Sequence, residues 1–333
     1  MASLSQATIS KLALAAAALF GSVSAVSAEP VNLRLATTGV GSGWYNYGAG
    51  MAELVLTALP EGSTIDVLPI AGGEGNIKLL QAGETEMGIS FPMPAADACQ
   101  GTGAYDKVQD KIRGMVGGLD VFYFSTFVRK DAGISSWQDI VDGKVKLATA
   151  NIGGTGEQGV RQVLSLLGAT KDSVSDAGGS VKALKRTATQ AAIGDGQMDA
   201  WAHIVSKGHP VATQMTSTID MTILPLPPEV RSGMASKFGW IEAEIPAGLF
   251  KGQDAAVPTV KAASNIMVSA DVDEEIVYTF VKTIVDKSAE LRKVHAALGD
   301  FNPKMAGDKA LLGGCPLHPG AERAYREAGI LQD

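Results

Sequence analysis

The sequence predicts two α/β lobes, each wound around its own sheet, with the second lobe inserted into the first. Three features carry this expectation. A short strand, a glycine-rich turn and an amphipathic helix open the mature chain in LRLATTGVGSGWYNYGAGMAELV, and the same order returns in VKLATANIGGTGEQGVRQVLSLL. Strand and helix patterns alternate at the pitch of a doubly wound domain with a largely parallel sheet. Two apolar runs, one within 118–129 (LDVFYFSTFV) and one at 263–269 (ASNIMVS), lack a helix-length partner. They read as strands that cross out of the first lobe and back. The expected division is 29–122 with 267–333 for the first lobe and 123–266 for the second.

Taken in order, Val31, Leu33 and Leu35 alternate as one face of a half-buried strand. Gly41, Ser42 and Gly43 turn the chain into a helix over about 44–59, with Met51, Leu54, Val55 and Ala58 inward and Pro60 as its stop. A strand over 64–70 leads through Gly72 and Gly73 into a short helix carrying Ile77 and Leu80, with Gly83 near its end. A third strand covers 86–91. Ser135 or Ser136 caps a helix that reaches Val141. The second series then opens, with a strand ending at Leu147-Ala148-Thr149, a turn at Gly153-Gly154-Thr155 and a helix behind it. Residues 197–204 form a later strand. Residues 273–293 form one long helix, with Ile276, Phe280, Ile284 and Leu291 on one face.

The first 28 residues read as an export signal: Lys11, an apolar stretch over 12–20, then Val26-Ser27-Ala28 as a small-residue cleavage pattern. The stretch is shorter than the roughly 20 residues that a membrane span requires. No cysteine stands at the cut to carry a lipid. The mature protein is therefore expected in the periplasm, with enough chain for two ordinary cores. The formal charge of −7 is scattered, which leaves no nucleic-acid footprint and no polybasic membrane patch. Cys99 and Cys315 permit a disulfide in an oxidising compartment, and equally two buried thiols. Their separation excludes a CxxC site or a zinc cluster.

Catalytic patterns are missing. HExxH, GxSxG and GxxxxGK[ST] do not occur. His203, His209, His295 and His318 lack metal-ligand spacing, and His209, just before Pro210, suits a turn cap. Asp195 and Asp199 sit in a glycine-rich turn as a solvated pair. Gly39-Val40-Gly41-Ser42-Gly43 departs from GxGxxG, so no dinucleotide is expected, and no cofactor or metal of any other kind. What remains is physical. A glycine loop that feeds a helix leaves N–H groups unpaired at the positive end of the helix dipole. Two such ends, one per lobe, suit an anion gripped between them. Trp44 and Tyr47 share a helical face and should point inward together, with Tyr45 directed elsewhere. At least one of the three is expected at the cleft, and Trp201 is divided between core and cleft.

Four segments then carry a resemblance. GSGWYNYG is similar to a GGTYYPLG-like pattern, GGEGNIKLLQAGETEMGIS to GGSxxNLxLLxxGExDLGI, DAWAHIVSKGHP to DAFFxxxGHP, and CPLHPGAERAYREAGI to a closing PLHPGAxxYYxExG run. All four resemble the TAXI-family solute-binding subunits of TRAP transporters, and they come in the family's order along nearly the whole mature chain. The resemblance implies a type II periplasmic-binding-protein fold, two lobes and a hinge. It also implies capture of an acidic amino acid or dicarboxylate for a membrane permease subunit that uses an ion gradient. By motif position it implies ligand contacts at Ser42, Trp44, Tyr45, Gly73 and Asn76, and a contribution from the 153–157 loop. The chain departs from the family where glycine replaces hydroxyl residues at Gly43 and Gly73, which removes side-chain donors and adds room.

The candidate binding set is thus Gly41, Ser42, Gly43, Trp44, Tyr45, Gly72, Gly73, Asn76, Ser90, Gly153, Gly154, Thr155, Gly156 and Trp201, with Lys78 and Arg161 as accessory cations and no catalytic residue. The expected protein is a monomeric receptor. A sensory binding protein and an exported enzyme with Ser42 as nucleophile are the alternatives.

Overall fold

The computed structural model describes residues 29–70 and 72–332. The export signal expected over 1–28 lies outside them. The first strands and helices are β1 (Asn32–Ala36), α1 (Gly43–Leu56), β2 (Thr64–Leu68), α2 (Gly73–Ala82), β3 (Met87–Ser90), α3 (Pro92–Gln100) and β4 (Ile112–Val116). After β5 (Val121–Arg129) come α4 (Trp137–Val141), β6 (Lys146–Thr149), α5 (Thr155–Leu166), α6 (Lys171–Asp176), β7 (Ser180–Ala183), α7 (Arg186–Gly194), β8 (Ala200–Ser206), α8 (Pro210–Thr218), β9 (Met221–Leu224), α9 (Pro228–Phe238), β10 (Ile241–Ile245) and β11 (Val257–Ala263). The chain then returns through β12 (Asn265–Ser269) to α10 (Glu274–Asp286), α11 (Ser288–Val294) and α12 (Pro319–Glu327). No helix among the described residues is long and apolar enough to cross a membrane.

These elements form two sheets. The first runs β2-β1-β3-β12-β4, and the second runs β10-β11-β5-β8-β6-β7 with β9 also paired to β5. β1, β2 and β3 are mutually parallel, while β12 lies antiparallel between β3 and β4. The second sheet is parallel only through β6, β7 and β8; the long β5 pairs antiparallel with β8, β9 and β11. The expectation of largely parallel sheets therefore fails in the second lobe. The entering strand β5 runs against β8 along one side, and against β9 and the returning strand β11 along the other.

Helices cover both faces of the first sheet. Leu33, Leu35, Met51, Val55, Ile89 and Phe280 fill one side; Ile77, Leu80, Ala98, Ile112, Met267 and Leu312 fill the other. The second lobe buries Phe124, Trp137, Val160 and Trp240 on one face and Phe127, Trp201, Met215 and Phe250 on the opposite one. β12 is buried at all five positions, as a strand in the middle of a two-sided sheet must be.

Three local expectations are corrected. The helix expected over 273–293 is two helices, because Lys287 leaves helical geometry (φ −97°, ψ 25°) and turns α11 so that Leu291 packs inward beside α1. The single return strand expected over 263–269 is broken at Ser264, where β11 ends and β12 begins. Helix α1 stops at Leu56, which leaves Ala58 exposed rather than on the buried face. Of the two candidate serines, Ser136 caps α4, its Oγ accepting from the Asp139 N–H in a reciprocal capping box.

The two connections between the sheets lie side by side. Leu119 N–H donates to the Ser264 carbonyl at 3.0 Å, and Ser264 N–H donates to the Asp120 carbonyl at 2.9 Å. Cys99, at the end of α3, is joined by a disulfide to Cys315, 216 residues away. The bond ties the approach to α12 to the first lobe. His318 caps α12 from a buried position, Nδ1 accepting from Gly320 N–H and Nε2 facing the Val272 carbonyl at 3.0 Å.

Candidate functional site

In each lobe, parallel strands send their C-terminal ends to one edge, and the loops on that edge feed helix N-termini. This is where open α/β sheets place ligands. The first lobe contributes the β1–α1 and β2–α2 loops, the second the β6–α5 loop. Gly73 of α2 and Thr155 of α5 approach closely: a Cβ built on Gly73 would stand 3.1 Å from Thr155 Oγ1. Two helix N-termini from different lobes therefore face each other across a closed cleft.

The loops are shaped by backbone that only glycine adopts readily. Gly72 and Gly73 have φ of 76° and 48°, and Gly153 has φ of 79°. Gly72 caps α2 without a side chain, and Gly154 does the same for α5. The Gly72 N–H is taken by Asn76 Oδ1 at 2.8 Å and the Gly75 N–H by the Gly72 carbonyl at 3.0 Å, while the N–H groups of Gly73 and Glu74 at the start of α2 have no partner within the helix. The same holds for the first turn of α5.

Several predicted contacts turn out to hold the loops in shape. Asn76 is fully buried, and its Nδ2 donates to the carbonyls of Ala36, Thr37 and Ile89, clamping the ends of β1 and β3 around the Gly72 turn. Ser90 Oγ donates to the Gly73 carbonyl at 3.2 Å. Ser42 caps α1, its Oγ accepting from Tyr45 N–H at 3.1 Å and from Thr38 Oγ1 at 2.7 Å. Gly156 sits against His203, where a Cβ would meet the ring at 2.1 Å. Gly41 (φ 77°) lies in the turn before α1, and Gly43 is the first residue of that helix. Trp201 lies in the second lobe's core, stacked on Phe127 with centroids 5.5 Å apart.

Trp44 and Tyr47 point inward together, while Tyr45 is half-buried. The Trp44 indole packs on Phe91 at 5.0 Å and edge-on to Phe122 at 6.0 Å, and those two rings stand 5.2 Å apart. This aromatic box joins α1, the end of β3 and the first strand beyond the crossing. Trp44 Nε1 and Thr149 Oγ1, at cleft-facing ends of the two lobes, are buried without a hydrogen-bond partner.

Charge near the two N-termini is internally paired. Glu74 in the first turn of α2 binds Lys78 at 2.6 Å, and buried Glu157 in α5 binds Lys171 at 2.8 Å and Arg161 at 3.1 Å. Burial pushes the Glu157 carboxyl up, but the hydrogen bonds from Lys171 and Arg161 outweigh it and hold the group below its ordinary value. Lys78 and Arg161 thus serve the acids of their own helices. Among the described residues, no group of three His, Cys, Asp or Glu side chains could hold a metal ion.

Sequence reasoning missed the cluster beneath the cleft. Tyr47 Oη donates to Asp120 Oδ1 at 3.1 Å and lies 3.2 Å from Ser264 Oγ, which itself hydrogen-bonds Asp120 Oδ1. Burial pushes the Asp120 carboxyl up to about 7 against the opposing hydrogen bonds. A signal existed: Asp120 is an acid in an otherwise apolar aromatic run.

The fold is similar to that of malate-bound MatC from Rhodopseudomonas palustris, with 12% identity, 91% of this chain and 100% of that chain covered, and a TM-score of 0.57. It also matches the periplasmic aliphatic sulphonate binding protein SsuA from Escherichia coli (15% identity, 89% and 79% covered, TM-score 0.47) and a putative L-cystine ABC transporter protein from Listeria monocytogenes (12%, 81% and 97%, 0.47). At 12% identity the likeness to MatC shows the fold alone. The model of the NMT1-like family matches residues 35–329. The chain belongs to the NMT1-like family.

Proposed function

We propose that this protein is an extracytoplasmic solute-binding receptor of the TAXI type. It closes two lobes on a small organic anion, an acidic amino acid or dicarboxylate, and delivers it to the permease subunit of a TRAP-type secondary transporter. The carrying observation is the apposition of Gly73 and Thr155, which sets the N-termini of α2 and α5 against one another. Paired N–H groups and two converging dipoles favour a carboxylate there without a cationic side chain. The proposed lobes are 29–122 with 267–333, and 123–266, hinged at the paired segments around Asp120 and Ser264. Cleavage behind Ala28 and residence in the periplasm as a monomer belong to the same reading. Engagement of the Ser42 hydroxyl in capping α1 supports a receptor over an enzyme.

The test is a thermal-shift screen of mono- and dicarboxylates and acidic amino acids against the mature protein, followed by calorimetry. One class should raise the melting temperature and bind with one-to-one stoichiometry. Stabilisation by neutral or cationic solutes alone would overturn the anion grip. Turnover of a bound solute would replace the receptor by an enzyme.

A further inference from the structure

Beneath the cleft, three side chains from three different segments meet in a buried cluster that includes no cation. Tyr47 comes from α1, Asp120 from the outgoing crossing and Ser264 from the returning one. Asp120 is 2% exposed, forms no ion pair among the described residues, and leaves Oδ2 without a hydrogen-bond partner. An ionised carboxylate in such a place is disfavoured, because the two hydroxyls on Oδ1 replace only part of the water it has lost. The cluster also sits where the lobes must pivot, since Asp120 and Ser264 share the backbone hydrogen bond that helps hold the crossings together. On the same face of α1, one turn nearer the cleft, Trp44 packs on Phe122, two residues beyond Asp120.

We propose that Asp120, Tyr47 and Ser264 form a proton-operated hinge, in which uptake of one proton favours the closed lobes and its release favours opening. The idea rests on the two-lobed receptor reading. Opening about the crossings lets water reach the carboxyl, which then ionises at its ordinary, lower pH. The closed form binds the extra proton, so closure is strongest at low pH, weakens as pH rises, and levels off once the closed-state carboxyl has itself ionised. That upper limit is about 7, where burial sets the carboxyl. The neighbouring titratable groups do not interfere. Burial and then the nearby Asp120 charge hold the Tyr47 hydroxyl well above its usual value. His295, behind Tyr47 with rings 6.1 Å apart, has its imidazole lowered by burial and accepts from Ala297 N–H through Nδ1.

The experiment needs no solute. Nitroxide labels on Val40→Cys and Ile152→Cys, exposed loop positions of the two lobes (70% and 81% exposed), report the opening by pulsed electron resonance in the disulfide-intact protein. From about pH 5 to about pH 8 the closed-to-open ratio should fall, by at most about tenfold per pH unit. In Asp120→Asn the ratio should not move with pH. In Tyr47→Phe the midpoint should move upward, because a donor that favours the ionised carboxyl is gone. A ratio independent of pH in the unsubstituted hinge, or a pH response retained in Asp120→Asn, would overturn the proposal. If Asp120→Asn does not fold, an unmoved midpoint in Tyr47→Phe does so instead. A carboxylate screen without a hit would sink the receptor reading and leave this result standing.

Discussion

Gly73 has φ of 48° and stands opposite Thr155, so a branched side chain there adds backbone strain and fills the gap between two helix ends. Gly73→Val is expected to abolish solute binding in calorimetry while far-ultraviolet dichroism stays unchanged. Trp44 has a different standing. It is 4% exposed inside an aromatic box, so Trp44→Ala should cost about 3–5 kcal/mol of stability in denaturant melts, as large-to-small core changes do. A normal melt with weakened binding would place the indole at the solute instead. Asp120 yields a prediction with a definite sign. Its folded-state carboxyl is raised to about 7, so its contribution to stability is intact at low pH and is lost as pH climbs to that value. Each tenfold rise in the carboxyl's proton affinity on folding corresponds to about 1.4 kcal/mol, so Asp120→Asn should gain up to about 4 kcal/mol over the wild type near pH 8 and little near pH 4. Equal stability of the two proteins across that range would refute the assignment.

Among elements, the disulfide closes the longest loop in the chain. Linking Cys99 to Cys315 confines 216 residues of separation, worth about 5 kcal/mol in the chain-entropy account. Reduction should lower the melting temperature and expose α12 to proteolysis first. An unchanged melt after reduction would mean that the Tyr325 hydroxyl, donating to the Met115 carbonyl at 2.7 Å, and the core around it suffice. Element types were largely legible, because the alternation of Leu33 and Leu35 and the face formed by Ile77 and Leu80 report burial directly. The break at Lys287 was not, since the apolar stripe of 276–291 runs on across it while only packing against α1 demands the turn. The candidate site divides along the same line. Glycines with positive φ announce their turns in sequence, whereas the choice of Asn76 as a clamp and Trp201 as a core residue depends on what folds around them.

For the whole molecule, solute capture should bring the lobes together about the paired crossings. Small-angle scattering with saturating solute is expected to show a smaller radius of gyration than without it. No compaction at saturation would argue that the cleft stays as closed when empty as when filled.

The place of β12 sets the order in which the protein can be made. The first sheet lacks its second-to-last strand until residue 269 exists, because β12 lies between β3 and β4. The segment that precedes the crossing must therefore wait, incomplete, while the whole inserted portion is synthesised. That portion is contiguous from β5 to β11 and has no such dependence. The amino-terminal half should thus be the slow, chaperone-dependent partner in folding, with its contacts spread over most of the chain length. A chain cut before Asn265 is expected to contain a protease-resistant fragment from its second half only. This delay keeps the leading segment loose until most of the chain has been made.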